Sequence, residues 1–354
     1  MLEFTYNALP WNIVFGTGAL ARLPDEIDKL GFKRAMVLTT PEQKDSGEEI
    51  LQLLGVRGAG LFDQAQMHVP VETLEAAKAR AAELNADCTV SLGGGSTTGL
   101  GKALVIHSEL PNIALPTTYA GSEMTNIWAV TEAGRKVTQR DDRVVPTLTL
   151  YDPELTRDLP ADFAVVSGLN ALAQAVVNVA TDKVNPMVSS LALDGVRALV
   201  SALPRIKADP DDMDARAEAL YGASMAGAAL GTGTTGLHHK LCHVFGGTFN
   251  TPHAQTHAIL LPHSVAYNAK AAKAGTDRIA EVLGVKDAAV GIYELARELG
   301  APLALSEIGI KESDLDKAAA VATENPINNP EPVTRDRVRA LLQVAFEGQA
   351  PRSV

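Results

Sequence analysis

Apolar residues change their spacing partway along the chain. Over the first 155 residues, short apolar runs alternate with helical patterns. Ala35–Leu38, Cys88–Leu92, Asn112–Leu115 and Thr147–Leu150 read as buried strands. Thr73–Leu84 is Ala-rich at helical spacing with Glu and Lys on its outer face, and Thr98–Val105 reads as a further helix. Strands alternating with helices predict βαβ units and a parallel sheet, closed by a stop at Tyr151-Asp152-Pro153.

Beyond residue 156 the β-branched alternation nearly vanishes. The runs NALAQAVVNVA, RAEALYGASMAGAAL and VRALLQVAF are rich in Ala and Leu at helical spacing. The expected organisation is an α/β domain over residues 1–155 and an all-helical domain over 156–354, with the boundary within Asp152–Leu159. Phe163–Thr181 and Tyr221–Leu237 carry no charge, but both contain Ser, Thr, Gly, Asn or Gln, which predicts buried helices rather than membrane spans. Asn325–Pro332 reads as a loop from its Pro and Asn content.

Composition narrows the function classes. A chain of 354 residues, 46% hydrophobic and 21% charged, is a folded globular protein and not a disordered one. Lys and Arg number 31 against 42 Asp and Glu, a net charge of −11, which argues against nucleic acid or an anionic membrane as the main partner. Cys88 and Cys242 cannot build a disulfide framework, and MLEFTYNALPW lacks a basic stretch followed by an apolar core. A reducing cytoplasm is the expected location.

Two loops carry candidate ligand chemistry in the α/β half. Gly93-Gly94-Gly95-Ser96 follows a strand and precedes a helix, where glycines and free N–H groups can cradle a phosphate; a tight turn without a ligand is the alternative. Pro116–Glu123 follows the next strand, and Thr117, Thr118 and Ser122 offer hydroxyls there to a phosphate, ribose or nicotinamide amide. Read alone, they cap a helix. The position for a ribose-binding acid after Ala35–Leu38 holds Thr39-Thr40-Pro41, so Thr39 is the candidate contact and exclusivity for NADH over NADPH has no support.

The other half concentrates histidine. Six of eight lie between positions 238 and 263: His238, His239, His243, His253, His257 and His263. His239 and His243 share a helix face, and Asn250-Thr251-Pro252 can turn His253 back beside them. Imidazoles so grouped suit a divalent transition metal or proton transfer near neutral pH. His238 should point elsewhere, His257 is open to either reading, His263 reads as capping or packing, and Cys242 as a small buried thiol.

The strings VFGTGAL, GGGSTTGLGKA, LPTTYAGSE, HHKLCHVFGGTFNTPHAQTHAILLPH and NPEPVTRDRVRALL resemble the iron-containing (group III) alcohol dehydrogenase superfamily over nearly the whole chain, and within it the maleylacetate reductases. The resemblance implies a dinucleotide-binding α/β domain, a helical domain with a cleft between them, NADH or NADPH as cofactor, and a homodimer. It implies four metal-ligand positions. Two of these match His239 and His253, and His243 matches a further active-site histidine. The remaining pair, Asp-x-x-x-His in the alcohol dehydrogenases, reads Asn170 and Gln174 here. Neutral amides do not supply the charge that holds a divalent cation, so no tightly bound metal is expected, with His239 and His253 the ligands of any weak one.

The implied reaction saturates the C=C bond of maleylacetate, a small dicarboxylate, and develops an enolate that aimed donors can stabilise without a cation. On this reading His243 protonates or hydrogen-bonds the enolate. His239 and His253 line the same wall, Tyr119 adds a hydroxyl, and Asn170 and Gln174 hold a substrate carboxylate. Lys102 and Lys136 are candidates for local positive charge. The rival readings are a metal-dependent alcohol or polyol dehydrogenase of the same superfamily, against which Asn170 and Gln174 speak, and a noncatalytic nucleotide-binding protein.

Overall fold

The computed structural model describes residues 3–132 and 135–352, without the side chains of residues 135 and 136. Lys136, a candidate for substrate charge, therefore has its side chain outside the described residues. The chain forms two compact units, Ala8–Leu159 and a second made of Pro160–Val354 with the segment before residue 8.

The α/β unit contains strands β1 (Ile13–Phe15), β2 (Ala35–Leu38), β3 (Gly58–Phe62), β4 (Cys88–Gly93), β5 (Asn112–Pro116), β6 (Ile127–Glu132), β7 (Arg135–Arg140) and β8 (Leu148–Tyr151). Its helices are α1 (Leu23–Leu30), α2 (Lys44–Leu54), α3 (Val71–Leu84) and α4 (Gly95–Ser108). Six strands form one sheet in the order β1-β8-β5-β4-β2-β3, every pairing parallel. Val37 sits opposite Val90, and Val90 opposite Ile113.

Every residue of β2, β4, β5 and β8 is buried, which is why these strands read as continuous apolar runs. Alternate residues still part to opposite faces. Ala35 and Val37 join a core with Ile27, Ile50 and Leu54, while Met36 and Leu38 join one with Leu74, Leu100 and Leu104. The edge strands were not predicted. β1 has only three residues, two of them exposed, and β3 begins Gly-Ala-Gly. The β6–β7 antiparallel pair stands apart from the main sheet, and β6 opens on the apolar run Ile127–Val130.

The helical unit contains α5 (Ala161–Val179), α6 (Pro186–Ala208), α7 (Met213–Thr232), α8 (Leu237–Phe249), α9 (His253–Asn268), α10 (Lys273–Leu283), α11 (Ala288–Glu298), α12 (Leu315–Ala322) and α13 (Arg335–Phe346). Leu237, Leu241 and Phe245 of α8 meet Ile259 and Leu260 of α9, Leu315 of α12 and Leu342 of α13 in one core. Helices α5 and α6 are long and apolar enough to cross a membrane by length and composition, and the apolar window of α5 is 83% buried within the protein.

The unit boundary lies a few residues past the expected 155/156, because Pro153–Thr156 forms a short 3₁₀ turn closed on the α/β side. Asn185, which caps α6, donates to the Thr5 carbonyl and ties the N-terminal segment to the helical unit.

Asp152, at the end of β8, accepts from the backbone N–H groups of Gly18 at 3.1 Å, Leu20 at 2.9 Å and Glu154 at 3.1 Å while only 2% exposed. It fixes the turn after β1 against β8. Asp152→Ala strands three donors and should lower stability by about 2–3 kcal/mol, read as a shift of the urea midpoint. A midpoint within 0.5 kcal/mol of wild type (about the scatter of surface changes) would remove Asp152 from that role.

Candidate functional site

The α/β unit brings its two predicted loops together at the carboxyl ends of the strands. The chain runs outward from β2 to β3, returns to β4 and then proceeds to β5 on the other side. The reversal lies between β2 and β4, where an open parallel sheet forms a crevice. Gly93 takes φ +143°, and a Cβ there would stand 2.6 Å from Thr97 Oγ1 and 2.7 Å from Gln43 Oε1. A Cβ on Gly94 would stand 2.8 Å from Thr118 Oγ1. A Cβ at Gly93 or Gly94 would force these side chains to shift, whereas one at Gly95 would meet nothing within 4 Å, and α4 begins directly behind the turn with unspent N–H groups. Helix α4 starts at Gly95, three residues before the expected start, so Ser96 belongs to its first turn.

The second loop is fastened to the first. Thr117 N–H donates to the Gly93 carbonyl at 3.1 Å, and Gln43 Nε2 donates to Thr117 Oγ1 at 3.1 Å. Gln43 was missed from the sequence because it belongs to a third loop, after β2. Thr118 and Ser122 are half-buried on the second loop. Thr39 is displaced from its expected role. It is fully buried, its backbone bonded to Phe62 and Ala65 and its methyl turned toward α2 at Gly47. Tyr119 is also fully buried, so its hydroxyl is not presented on the loop surface.

Lys102 is neither a substrate-binding charge nor a solvated one. It is fully buried, and Nζ donates to the carbonyls of Ser122 at 2.5 Å, Thr125 at 2.7 Å and Ile127 at 3.0 Å and to Thr125 Oγ1 at 3.0 Å. Burial pushes it down to about 7, opposed by the charge of Glu123. Glu123 is pushed up by burial and accepts from Tyr151 Oη at 2.8 Å. Lys102 thus staples α4, behind the glycine turn, to the far end of the second loop.

In the helical unit, α8 ends at Asn250 in the left-handed conformation (φ +53°), and Thr251-Pro252 lead into α9 at His253. The turn lays α9 against α8 and gathers the imidazoles. His257 is the hub. Its ring centroid lies 4.5 Å from His253, 4.8 Å from His238 and 5.5 Å from His239. His238 Nε2 and His257 Nδ1 are hydrogen-bonded at 2.9 Å, and His238 Nδ1 approaches Ser264 Oγ at 3.4 Å. His238 therefore joins the cluster, contrary to the adjacency argument, because its ring stands edge-on to His239.

Burial divides the cluster. His238, His239 and His257 are buried, whereas His243 and His253 are exposed. Burial pushes His238 down to about 3 and His257 well below its ordinary range, and charge on His253 and His243 adds to both effects. The inner pair is neutral and the outer rings face solvent. His263 lies further along α9, buried and pushed down to about 4. Cys242 Sγ is 3.7 Å from His238 Nε2, with its thiol pushed up by burial.

Asn170 and Gln174 are buried one turn apart on α5, which packs on α9. Asn170 Oδ1 has no hydrogen-bond partner among the described residues. The donors at the four positions implied as metal ligands are thus two imidazoles and two neutral amides, with no carboxylate. His238, Cys242 and His257 also converge, their ligand atoms within 4.8 Å of one another, and a hydrogen bond joins His238 Nε2 to His257 Nδ1.

The buried neutral rings carry a pH signature. Unfolded, His238 and His263 titrate near 6.5. Below that pH the unfolded chain takes up protons that the native chain refuses, so stability is complete above about 6.5 and falls as the pH drops toward the native values of about 3 and about 4. Denaturation midpoints at pH 7.5, 6 and 5 should decline by about 1 kcal/mol per unit for each ring, less steeply in His263→Gln. A flat profile would contradict their neutrality.

Residues 10–153 match the family Iron-containing alcohol dehydrogenase, and residues 164–346 match Fe-containing alcohol dehydrogenase family, C-terminal. The chain is 49% identical to a maleylacetate reductase of Sphingobium indicum over 350 residues, 99% of both chains. It is 48% identical to one of Burkholderia cepacia over 351 residues, covering 99% of this chain and 100% of the other. The crystal structure of maleylacetate reductase from Agrobacterium tumefaciens superposes with a TM-score of 0.96 at 45% identity, covering 99% of this chain and 100% of that one. With these matches spanning both units, the chain belongs to the iron-containing alcohol dehydrogenase family.

Proposed function

We propose that this chain reduces maleylacetate to 3-oxoadipate, with NADH or NADPH bound at the glycine turn as hydride donor. The observation that carries the reading is the pair of buried amides, Asn170 and Gln174, in a chain that matches maleylacetate reductases end to end. A carbonyl reduced to an alkoxide benefits from a strong Lewis acid, whereas an enolate spreads its charge and is served by hydrogen-bond donors.

The hydride adds to the alkene carbon β to the ketone. The π electrons shift toward the ketone, and an enolate forms on its oxygen. One proton then completes the saturation. His243 supplies it, since its exposed ring can be recharged from solvent. His253 and His239 meet the substrate carboxylates, and the amide N–H groups of Asn170 and Gln174 donate to one of them. Iron, where bound in this family, supplies Lewis acidity. Two imidazoles and two amides offer fewer strong ligands than the three or four of a tight site, so these residues do not fit a tightly held ion. A homodimer in solution and a small dicarboxylate as substrate accompany the proposal.

In an assay following nicotinamide oxidation with maleylacetate, His243→Ala should lower kcat by about 100-fold or more while the KM for NADH stays within about twofold. Unchanged turnover would remove His243 from its role. The rival, a metal-dependent alcohol or polyol dehydrogenase, is tested by metal analysis. After chelation the protein should contain far less than one metal per chain and keep its maleylacetate activity. Stoichiometric iron or zinc whose removal abolishes turnover would favour the rival.

A further inference from the structure

Three donors outside the four family ligand positions converge where α8 packs on α9. His238 and Cys242 stand one turn apart on α8, and His257 stands on α9. Their ligand atoms lie within 4.8 Å of one another. His238 Nε2 is 2.9 Å from His257 Nδ1 and 3.7 Å from Cys242 Sγ. Tetrahedral Zn2+, with nitrogen at about 2.0 Å and sulfur at about 2.3 Å, spaces its ligand atoms about 3.3 Å (nitrogen to nitrogen) and about 3.6 Å (nitrogen to sulfur) apart. Both printed separations fall within about 0.5 Å of that shell. The remaining pair, Cys242 and His257, needs a side-chain rotation of about an ångström to join it.

The protons are placed for such an ion. Ser264 Oγ donates to the Leu260 carbonyl at 2.9 Å, so toward His238 Nδ1, at 3.4 Å, it accepts. His238 therefore carries its proton on Nδ1 and turns the Nε2 lone pair toward His257 and Cys242. His257 holds the bridging proton on Nδ1. Its Nε2 is buried with no hydrogen-bond partner among the described residues and is free to take that proton. On binding, the His257 proton moves from Nδ1 to Nε2, the thiol proton leaves to solvent, and bonds form to two neutral imidazoles and one thiolate.

The donor set selects the ion. Imidazole and thiolate suit borderline-soft Zn2+, whereas Mg2+ and Ca2+ take oxygen. The thiolate supplies the anionic partner that a buried cation requires, and His238, Cys242 and His257 are only 1%, 1% and 2% exposed. The solvent-facing ring of His253, centred 4.5 Å from His257, marks the side from which an ion enters. We propose that His238, Cys242 and His257 bind one Zn2+ per chain, and that the ion clamps α8 to α9 across the turn that gathers the imidazoles. The proposal takes nothing from the functional reading above.

The test uses the full chain, stripped with chelator, kept reduced with a phosphine, and free of substrate and nicotinamide. Co2+ should bind at one per chain with a thiolate-to-cobalt band in the near ultraviolet and the strong visible bands of a tetrahedral shell, and Zn2+ should displace it. Cys242→Ser should abolish the near-ultraviolet band, and His257→Gln should weaken Co2+ binding at least about 100-fold. Cys88→Ala, and the double variant His239→Asn, His253→Asn, should keep the band, which separates this site from the family ligand positions. Saturating Zn2+ should raise the Tm of wild type by at least about 3 °C and leave that of Cys242→Ser unmoved. Where His257→Gln fails to fold, the wild-type band and its loss in Cys242→Ser still decide. Wild type without a thiolate-to-cobalt band at saturating Co2+, a band that survives Cys242→Ser, or one lost in the His239, His253 double variant would overturn the inference.

Discussion

Five imidazoles crowd the turn between α8 and α9, and mutual repulsion forbids all of them to be charged. Burial settles the division. His238 and His257 are taken out of water and held neutral, with one hydrogen bond satisfying a nitrogen on each. The charge-bearing role is left to the solvent-facing rings of His243 and His253. A wall with neutral rings inside and protonatable rings outside suits a dianionic substrate and the delivery of one proton.

The same economy explains the amides on α5. Asn170 and Gln174 give polarity without charge. In the α/β unit the Lys102 amine is buried among carbonyl oxygens that accept its hydrogen bonds, and those bonds join the glycine turn's helix to the second loop.

Much of the fold was legible from local pattern. The four central strands declared themselves because burial on both faces leaves unbroken apolar runs. The edge strands β1 and β3 did not, being short, exposed or glycine-rich. The glycine turn and the hydroxyl loop were visible as strings next to strands, whereas Gln43 was not, because its importance lies in reaching across two other loops. Thr39 and Lys102 were misread for one reason. A residue beside a ligand-binding motif in sequence can point into the core, and only the packing of α2 and α4 shows that it does.

By itself, the sequence determined the class of architecture, the clustering of histidine and the replacement of ionisable ligands by amides, since these are properties of periodicity and residue type. The tertiary structure decided which imidazoles are buried together, drew His238 and His257 into contact and set Gln43 across the glycine turn and the hydroxyl loop. Those outcomes depend on distances between segments far apart in the chain and on the exclusion of water around them, which no local pattern encodes.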